Sequence, residues 1–134
     1  MKTVFTSGVF DLFHVGHLNF LKQSKSYGNR LIIAVNTDEF TFSYKNKTPI
    51  IPFTQRMEML SSCKYVDLVL KAEEYLPLKY IKEYNVDVIT VGSEWKNIEL
   101  ESVKWAKNNN IKVIYINYID NISTSYIINK IKQL

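Results

Sequence analysis

Apolar and polar positions along the chain follow two alternating rhythms. Short β-rich runs are each followed by a longer stretch of helical period. Five such pairs can be counted, the pattern of a parallel sheet covered by helices on both faces. Thr3 to Ser7 reads as the first strand, and a helix follows from Val15 to Tyr27 with Leu18, Phe20 and Leu21 as apolar positions and Gly28 as its stop. Leu31 to Val35 is a near-continuous aliphatic run, as expected of a strand buried on both faces, and Asn36-Thr37-Asp38 ends it in turn chemistry. Glu39 to Pro52 matches neither period and reads as a mobile polar loop. Thr54 is placed to cap a helix through Met57, Leu60 and Cys63, and Tyr65 to Leu70 gives the third strand. Glu73 to Tyr84 reads as a helix, Val86 to Val91 as a strand closed by Gly92, Ile98 to Asn109 as a helix and Ile111 to Asn117 as the fifth strand. Ser123 then opens a last helix with Tyr126, Ile127, Ile128 and Ile131. With no repeat or linker, the expectation is one three-layer α/β domain over residues 1–134 with a five-stranded parallel sheet.

Composition narrows the function more than the fold. At 134 residues and 46% hydrophobic content the chain has material for a proper core, which excludes disorder. The net charge of +4, from 17 basic and 13 acidic residues, is spread without a single-sign block, so a nucleic-acid tail or polybasic anchor is not expected. The nine tyrosines and seven phenylalanines are scattered and form no basic-aromatic platform for a single strand. Cys63 is the sole cysteine, which removes any disulfide-stapled reading. No apolar run approaches the ~20 residues a membrane helix needs, and Lys2 leads straight into a strand, so membrane insertion is not expected and a cytoplasmic location is.

The informative segment is Gly8-Val9-Phe10-Asp11-Leu12-Phe13-His14-Val15-Gly16-His17, between the first strand and the first helix. Ligands of open α/β sheets bind outside the carboxyl ends of the strands, and a helix start there offers free N–H groups and a positive dipole end to a phosphate. His14 and His17 lie three apart at that start, so both imidazoles can point at one anion, and Gly16 keeps the backbone bare between them. A universal-stress-type ATP-binding dimer would need a Gly-rich phosphate loop near the last strand, and the whole chain has four glycines.

Phe10 to His17 resembles the HxGH signature of the nucleotidyltransferase superfamily in its cytidylyltransferase form. The resemblance is most similar to the glycerol-3-phosphate cytidylyltransferase family and runs along the chain. Asn36-Thr37-Asp38-Glu39, the helix of Arg56, Tyr65-Val66-Asp67, Gly92-Ser93-Glu94-Trp95 and Ile122-Ser123-Thr124-Ser125 all fall in the family's order. It implies a Rossmann-like domain that transfers CMP from CTP to a phosphorylated small alcohol, giving CDP-glycerol if the acceptor is glycerol 3-phosphate. In that chemistry an acceptor phosphate oxygen attacks the α-phosphorus in line and pyrophosphate leaves, so positioning and charge stabilisation do most of the catalysis. His14 and His17 would donate to the phosphate oxygens, and Lys45 or Lys47 would close over them from the loop. Gly8, Val9, Phe10, Gly16, Gly92, Glu94, Trp95, Ile122, Ser123 and Thr124 would border the nucleotide, and Asp11, Asp38 and Arg56 the acceptor. Mg²⁺ would arrive with the triphosphate, with help from Asp11, and a homodimer is implied.

Each of these residues also has a plainer reading. Lys45 and Lys47 could be solvated loop charges, Arg56 a helix-surface arginine, Trp95 a packing residue at a helix start, Asp11 and Asp38 turn caps, and Ser123 and Thr124 an ordinary cap. Trp105, mid-helix beside Val103 and Ala106, reads as core or interface. One departure stands out: Tyr118 occupies the place of the family's arginine before the last helix, and Asn121 that of its glycine. This leaves two alternatives, an adenylyltransferase acting on flavin mononucleotide or a sugar phosphate, and a non-catalytic nucleotide-binding regulatory module.

Overall fold

A computed structural model of the chain describes residues 1–118 and 122–134. Five parallel strands, β1 (Thr3–Gly8), β2 (Arg30–Asn36), β3 (Leu68–Ala72), β4 (Val88–Gly92) and β5 (Lys112–Ile116), form one sheet in the order β3-β2-β1-β4-β5. The helices are α1 (Val15–Ser26), α2 (Asp38–Lys45), α3 (Phe53–Ser61), α4 (Leu78–Glu83), α5 (Glu101–Asn108) and α6 (Thr124–Lys132). The chain builds outward from β1 through β2 to β3, then returns to pair β4 with the other edge of β1. The carboxyl ends of β1 and β4 therefore flank the point where the winding reverses.

Alternate side chains of the buried strands feed two cores. Val4, Leu31, Ile33, Val35 and Val88 meet Phe20 and Leu21 of α1 and Leu60 of α3 on one face. Phe5, Ile32, Ala34, Ile89 and Val91 meet Ile81 of α4 and Val103 and Ala106 of α5 on the other. This is the expected Rossmann-like, three-layer arrangement, and Trp105 packs partly buried against the second core. Buried hydroxyls between α1 and the sheet find partners, Ser24 with the Thr90 hydroxyl at 2.7 Å and Thr6 with the Thr90 carbonyl at 2.7 Å.

Four expectations need correction. The polar stretch after Asp38 is not all loop: its first part is helix α2, started by Thr37, whose hydroxyl accepts from Phe40 N, and ended by Asn46 in the left-handed region at φ 56°. Thr54 does not cap α3, because Pro52, with φ fixed at −57°, is the residue that precedes the first turn. The helix expected from Glu73 shrinks to α4, since Leu76 has φ 50° and Pro77 follows it, so no helix runs through that pair. The third strand shifts to Leu68–Ala72 because Asp67 turns its backbone N–H to Leu31 O and its carboxylate to Leu31 N, ending the preceding turn there.

Gly28 follows α1 as expected, but not for conformational freedom, since no described glycine has positive φ. A Cβ there would lie 2.6 Å from the carbonyl oxygen of Lys2 and 2.8 Å from a methyl of Val4. Gly28→Ala is therefore expected to destabilise the fold by about 1–3 kcal/mol through overpacking against backbone. Urea unfolding should show a lower midpoint at unchanged slope; an unchanged midpoint would mean that the contact relaxes freely.

Candidate active site

The site begins where β1 ends. Phe10 and Leu12, either side of Asp11, both adopt left-handed backbone, at φ 55° and 49°. For bulky residues this costs about 1–2 kcal/mol each and persists only where the surroundings hold it. Asp11 supplies much of the hold. Its carboxylate accepts from Leu12 N (3.1 Å), Ile50 N (2.8 Å) and Ile51 N (2.9 Å), which pins the loop after β1 to the segment ahead of α3. Gly8 is bare because a Cβ would meet the Phe10 ring at 2.8 Å.

His14 caps α1 and shares a reciprocal bond pattern with His17. Gly16 N donates to Nδ1 of His14 at 3.1 Å, and His14 N donates to Nδ1 of His17 at 3.3 Å. Both Nδ1 atoms are thus acceptors, which puts the proton of each neutral imidazole on Nε2. The rings stack with centroids 3.8 Å apart, Phe13 lies over His17 at 5.6 Å, and Phe10 meets it edge-on at 5.4 Å. Burial, then the neighbouring His14, then the Lys45 charge push the His17 imidazole down to about 3, and burial lowers His14 as well. The pair is neutral at physiological pH. Among the described residues, His14 Nε2 is buried and has no hydrogen-bond partner, so its N–H is left unsatisfied.

A side chain on Gly16 would meet the His14 ring at 2.9 Å and the Ile122 side chain at 3.2 Å, so the glycine lets both approach the helix start. Ile122 leads into α6, whose first turn is tied to the same loop. Ser123 caps it, accepting from Tyr126 N at 3.0 Å, while the Thr124 hydroxyl donates to Asp11 O at 2.8 Å. Thr124 is therefore engaged with the protein, whereas Ser123 is exposed. Across the switch point, Gly92 leaves room for the Glu94 carboxylate, which would lie 2.4 Å from a Cβ there. Trp95 stacks on Tyr75 at 4.2 Å and meets Tyr44 edge-on at 6.0 Å. Tyr118 lies flat on Phe20 of α1 at 5.2 Å, its phenol pushed up by burial and by Glu94. Asn121 lies outside the described residues.

The cytidylyltransferase-like family model matches residues 5–130. The chain belongs to that family. It is 36% identical over 133 residues to the bifunctional protein HldE of Sodalis glossinidius and 37% identical over 135 residues to that of Yersinia pestis, each match covering 98% of this chain. It spans 28% of the length of those relatives. Among solved structures, the lipopolysaccharide core biosynthesis protein of Thermoplasma volcanium is 30% identical with a TM-score of 0.74, over 90% of this chain and 99% of that one. Thermotoga maritima TmcAL, bound with alpha-thio ATP, shares the fold at 14% identity and a TM-score of 0.69, over 99% of this chain and 50% of that one.

In this member of the family, of the three residues expected to hold an acceptor, Arg56 and Asp38 hold each other, and all three hold backbone groups. Arg56, 1% exposed, donates from Nε to Ile51 O, from one terminal nitrogen to Val9 O and Asn36 O, and from the other to Asp38 at 2.7 Å. Four of its five N–H groups are committed, so the bidentate grip on a substrate is not available to it. Asp38 also accepts from Phe53 N. Asp11 accepts three backbone N–H groups, and among the described residues no group of three or more His, Cys, Asp or Glu could hold a metal ion. The two lysines separate: Lys45 ends α2 near enough for its charge to be felt at His17, while Lys47 lies exposed beyond the helix. Asn36 and Tyr44 were not among the expected site residues. Asn36, fully buried, donates from Nδ2 to the Tyr44 hydroxyl at 3.0 Å, with Ser7 Oγ 3.2 Å from its Oδ1.

Two outcomes follow from this electrostatics. The folded chain keeps His17 neutral down to about pH 3, whereas an unfolded chain protonates it near 6.5, so on acidification the unfolded state takes up the proton first. The stability that this depressed value contributes is complete above ~6.5 and is lost as pH falls toward the folded value, on the order of 3 kcal/mol between pH 7 and pH 4. His17→Asn, whose Oδ1 can still accept from His14 N, should flatten that part of the pH–stability curve; an unchanged slope would assign it to other groups. Arg56→Met should cost about 3 kcal/mol or more in chemical denaturation, because it strands Asp38 and three carbonyls. Adding Asp38→Asn should recover little of that loss, since the carbonyls stay unpaired.

Proposed function

We propose that the chain transfers a nucleoside monophosphate from a nucleoside triphosphate to a phosphorylated sugar, with ATP as the donor, and releases pyrophosphate. The observation that carries nucleotidyl transfer is the buried Nε2–H of His14, without a partner among the described residues and fixed by its cap beside a second neutral imidazole at the start of α1. The sugar phosphate and ATP rest on the relatives: bifunctional HldE proteins and a lipopolysaccharide core biosynthesis protein match nearly the whole chain. The replacement of the family's arginine by Tyr118 agrees with a departure from the glycerol-3-phosphate cytidylyltransferase pattern.

An oxygen of the acceptor phosphate attacks the α-phosphorus. A new P–O bond forms there, the bond to the bridging oxygen breaks opposite to it, and the electron pair leaves on pyrophosphate. His14 and His17 donate Nε2–H bonds to the oxygens on which charge builds, without giving up their protons, and partial burial of the pair strengthens each bond. Lys45 adds the positive charge from the edge of the site, and the free amides at the start of α6 face the leaving phosphates. Magnesium, where it takes part, enters on the triphosphate.

The test is pyrophosphate release from each nucleoside triphosphate against a panel of sugar phosphates, flavin mononucleotide and glycerol 3-phosphate. Release with ATP and a sugar phosphate is expected, lowered about 10²- to 10³-fold by His14→Ala and by His17→Ala. Release confined to CTP and glycerol 3-phosphate would support the second reading, which the family's cytidylyltransferase-like description favours. Nucleotide binding without release from any pair would point to a regulatory module instead.

A further inference from the structure

We infer that Tyr44 is a positioning residue for Lys45, holding the end of α2 at the carboxyl ends of β2 and β4. The inference rests on the proposed nucleotidyl transfer and concerns how Lys45 is kept in place.

A lysine at the end of an eight-residue helix has little to fix it. Helix α2 has one fully buried residue, Thr41, and its last turn, Phe42 to Lys45, is exposed. Such a segment would open readily on its own. Three contacts resist this, and two of them converge on Tyr44. Asn46 closes the helix in the left-handed conformation, its N–H donating to Phe42 O at 2.9 Å. The Tyr44 hydroxyl accepts from Asn36, which sits fully buried at the carboxyl end of β2. The Tyr44 ring meets Trp95, in the turn after β4, edge-on at 6.0 Å. One residue thus ties the helix end to both sides of the switch point, strand β2 on one and the β4 turn on the other. Lys45 is the next residue along, and its ammonium lies 6.0 Å from the Tyr44 ring centroid. Phe40, a turn earlier on the same helix, packs on that ring at 5.0 Å and limits the orientations open to the phenol. Among the described residues, the other side-chain hydrogen bonds that leave this helix are those of Asp38 at its opposite end, and they run to Arg56 and Phe53 N of α3 and not to the sheet.

If Tyr44 acts through Lys45, its loss should matter only while Lys45 is present, which a double-mutant cycle reads directly. Tyr44→Phe, Tyr44→Ala, Lys45→Ala and the Tyr44→Ala/Lys45→Ala double variant would be compared by pyrophosphate release and by calorimetric binding of inorganic tripolyphosphate with Mg²⁺. Tyr44→Ala is expected to lower kcat/KM and tripolyphosphate affinity about tenfold with Lys45 present and less than twofold in the Lys45→Ala background; Tyr44→Phe should fall between. Effects that multiply, or a Tyr44→Ala loss under twofold, would overturn the inference. Should Tyr44→Ala fail to fold, Tyr44→Phe, which loses only the hydroxyl, carries the same cycle. The binding arm needs no turnover: absence of pyrophosphate release with coupling intact counts against the transferase reading, and absence of coupling counts against this one.

Discussion

The buried guanidinium of Arg56 is the tie on which the crevice depends. Burying a full charge is costly, and the cost is met here by a carboxylate and three carbonyls placed around the fork. Those partners belong to the loop after β1, the end of β2, the start of α2 and the segment before α3. Asp11 grips that last segment from the opposite side, through the amides of Ile50 and Ile51, while Arg56 takes the carbonyl of Ile51. Two opposite charges thus clamp one dipeptide, and the ends of the two central strands are fixed relative to each other as a result.

That frame explains how the β1 loop can hold Phe10 and Leu12 in left-handed backbone and still present a regular helix start. Once the loop is fixed, the His14 cap follows, and with it the tautomers of both imidazoles. Burial then removes their charge. A neutral N–H donor is suited to an anion whose charge grows during reaction, because it strengthens with that charge and needs no counterion in the resting site.

Much of this was legible in the sequence, for identifiable reasons. Leu31 to Val35 declares itself a central strand because burial on both faces leaves only aliphatic residues, and His14 and His17 three apart after the first strand mark a helix start; that their Nδ1 atoms accept backbone amides there is seen only in the structure. Helix α2 was not legible. Phe40, Phe42 and Tyr44 recur every second residue, a strand-like spacing, and the helix is held by its ends and by Asn36 across eight positions rather than by an apolar stripe. Nor could sequence separate a charge that meets substrate from one that meets backbone. Asp11, Asp38 and Arg56 have the right chemistry for an acceptor, and it takes the structure to show Asp11 and Arg56 buried and all three engaged with partners inside the protein.

The exchange at Tyr118 moves the burden of charge within the site. An arginine there would bring a permanent cation next to the triphosphate; the phenol that replaces it lies flat on Phe20 and is held protonated by burial and by Glu94. The imidazoles are neutral, and Arg56 is matched by Asp38. Among the described residues, Lys45 is the cation whose charge reaches His17, so on the proposed reading the stabilisation of the leaving phosphates rests on it more heavily than in a site that also holds an arginine. A lysine is a flexible point charge with about 2 kcal/mol of rotamer entropy to lose on being fixed. A site that depends on one gains most from a rigid support beneath it, and here the last turn of α2 has that support in Asn36 and Trp95.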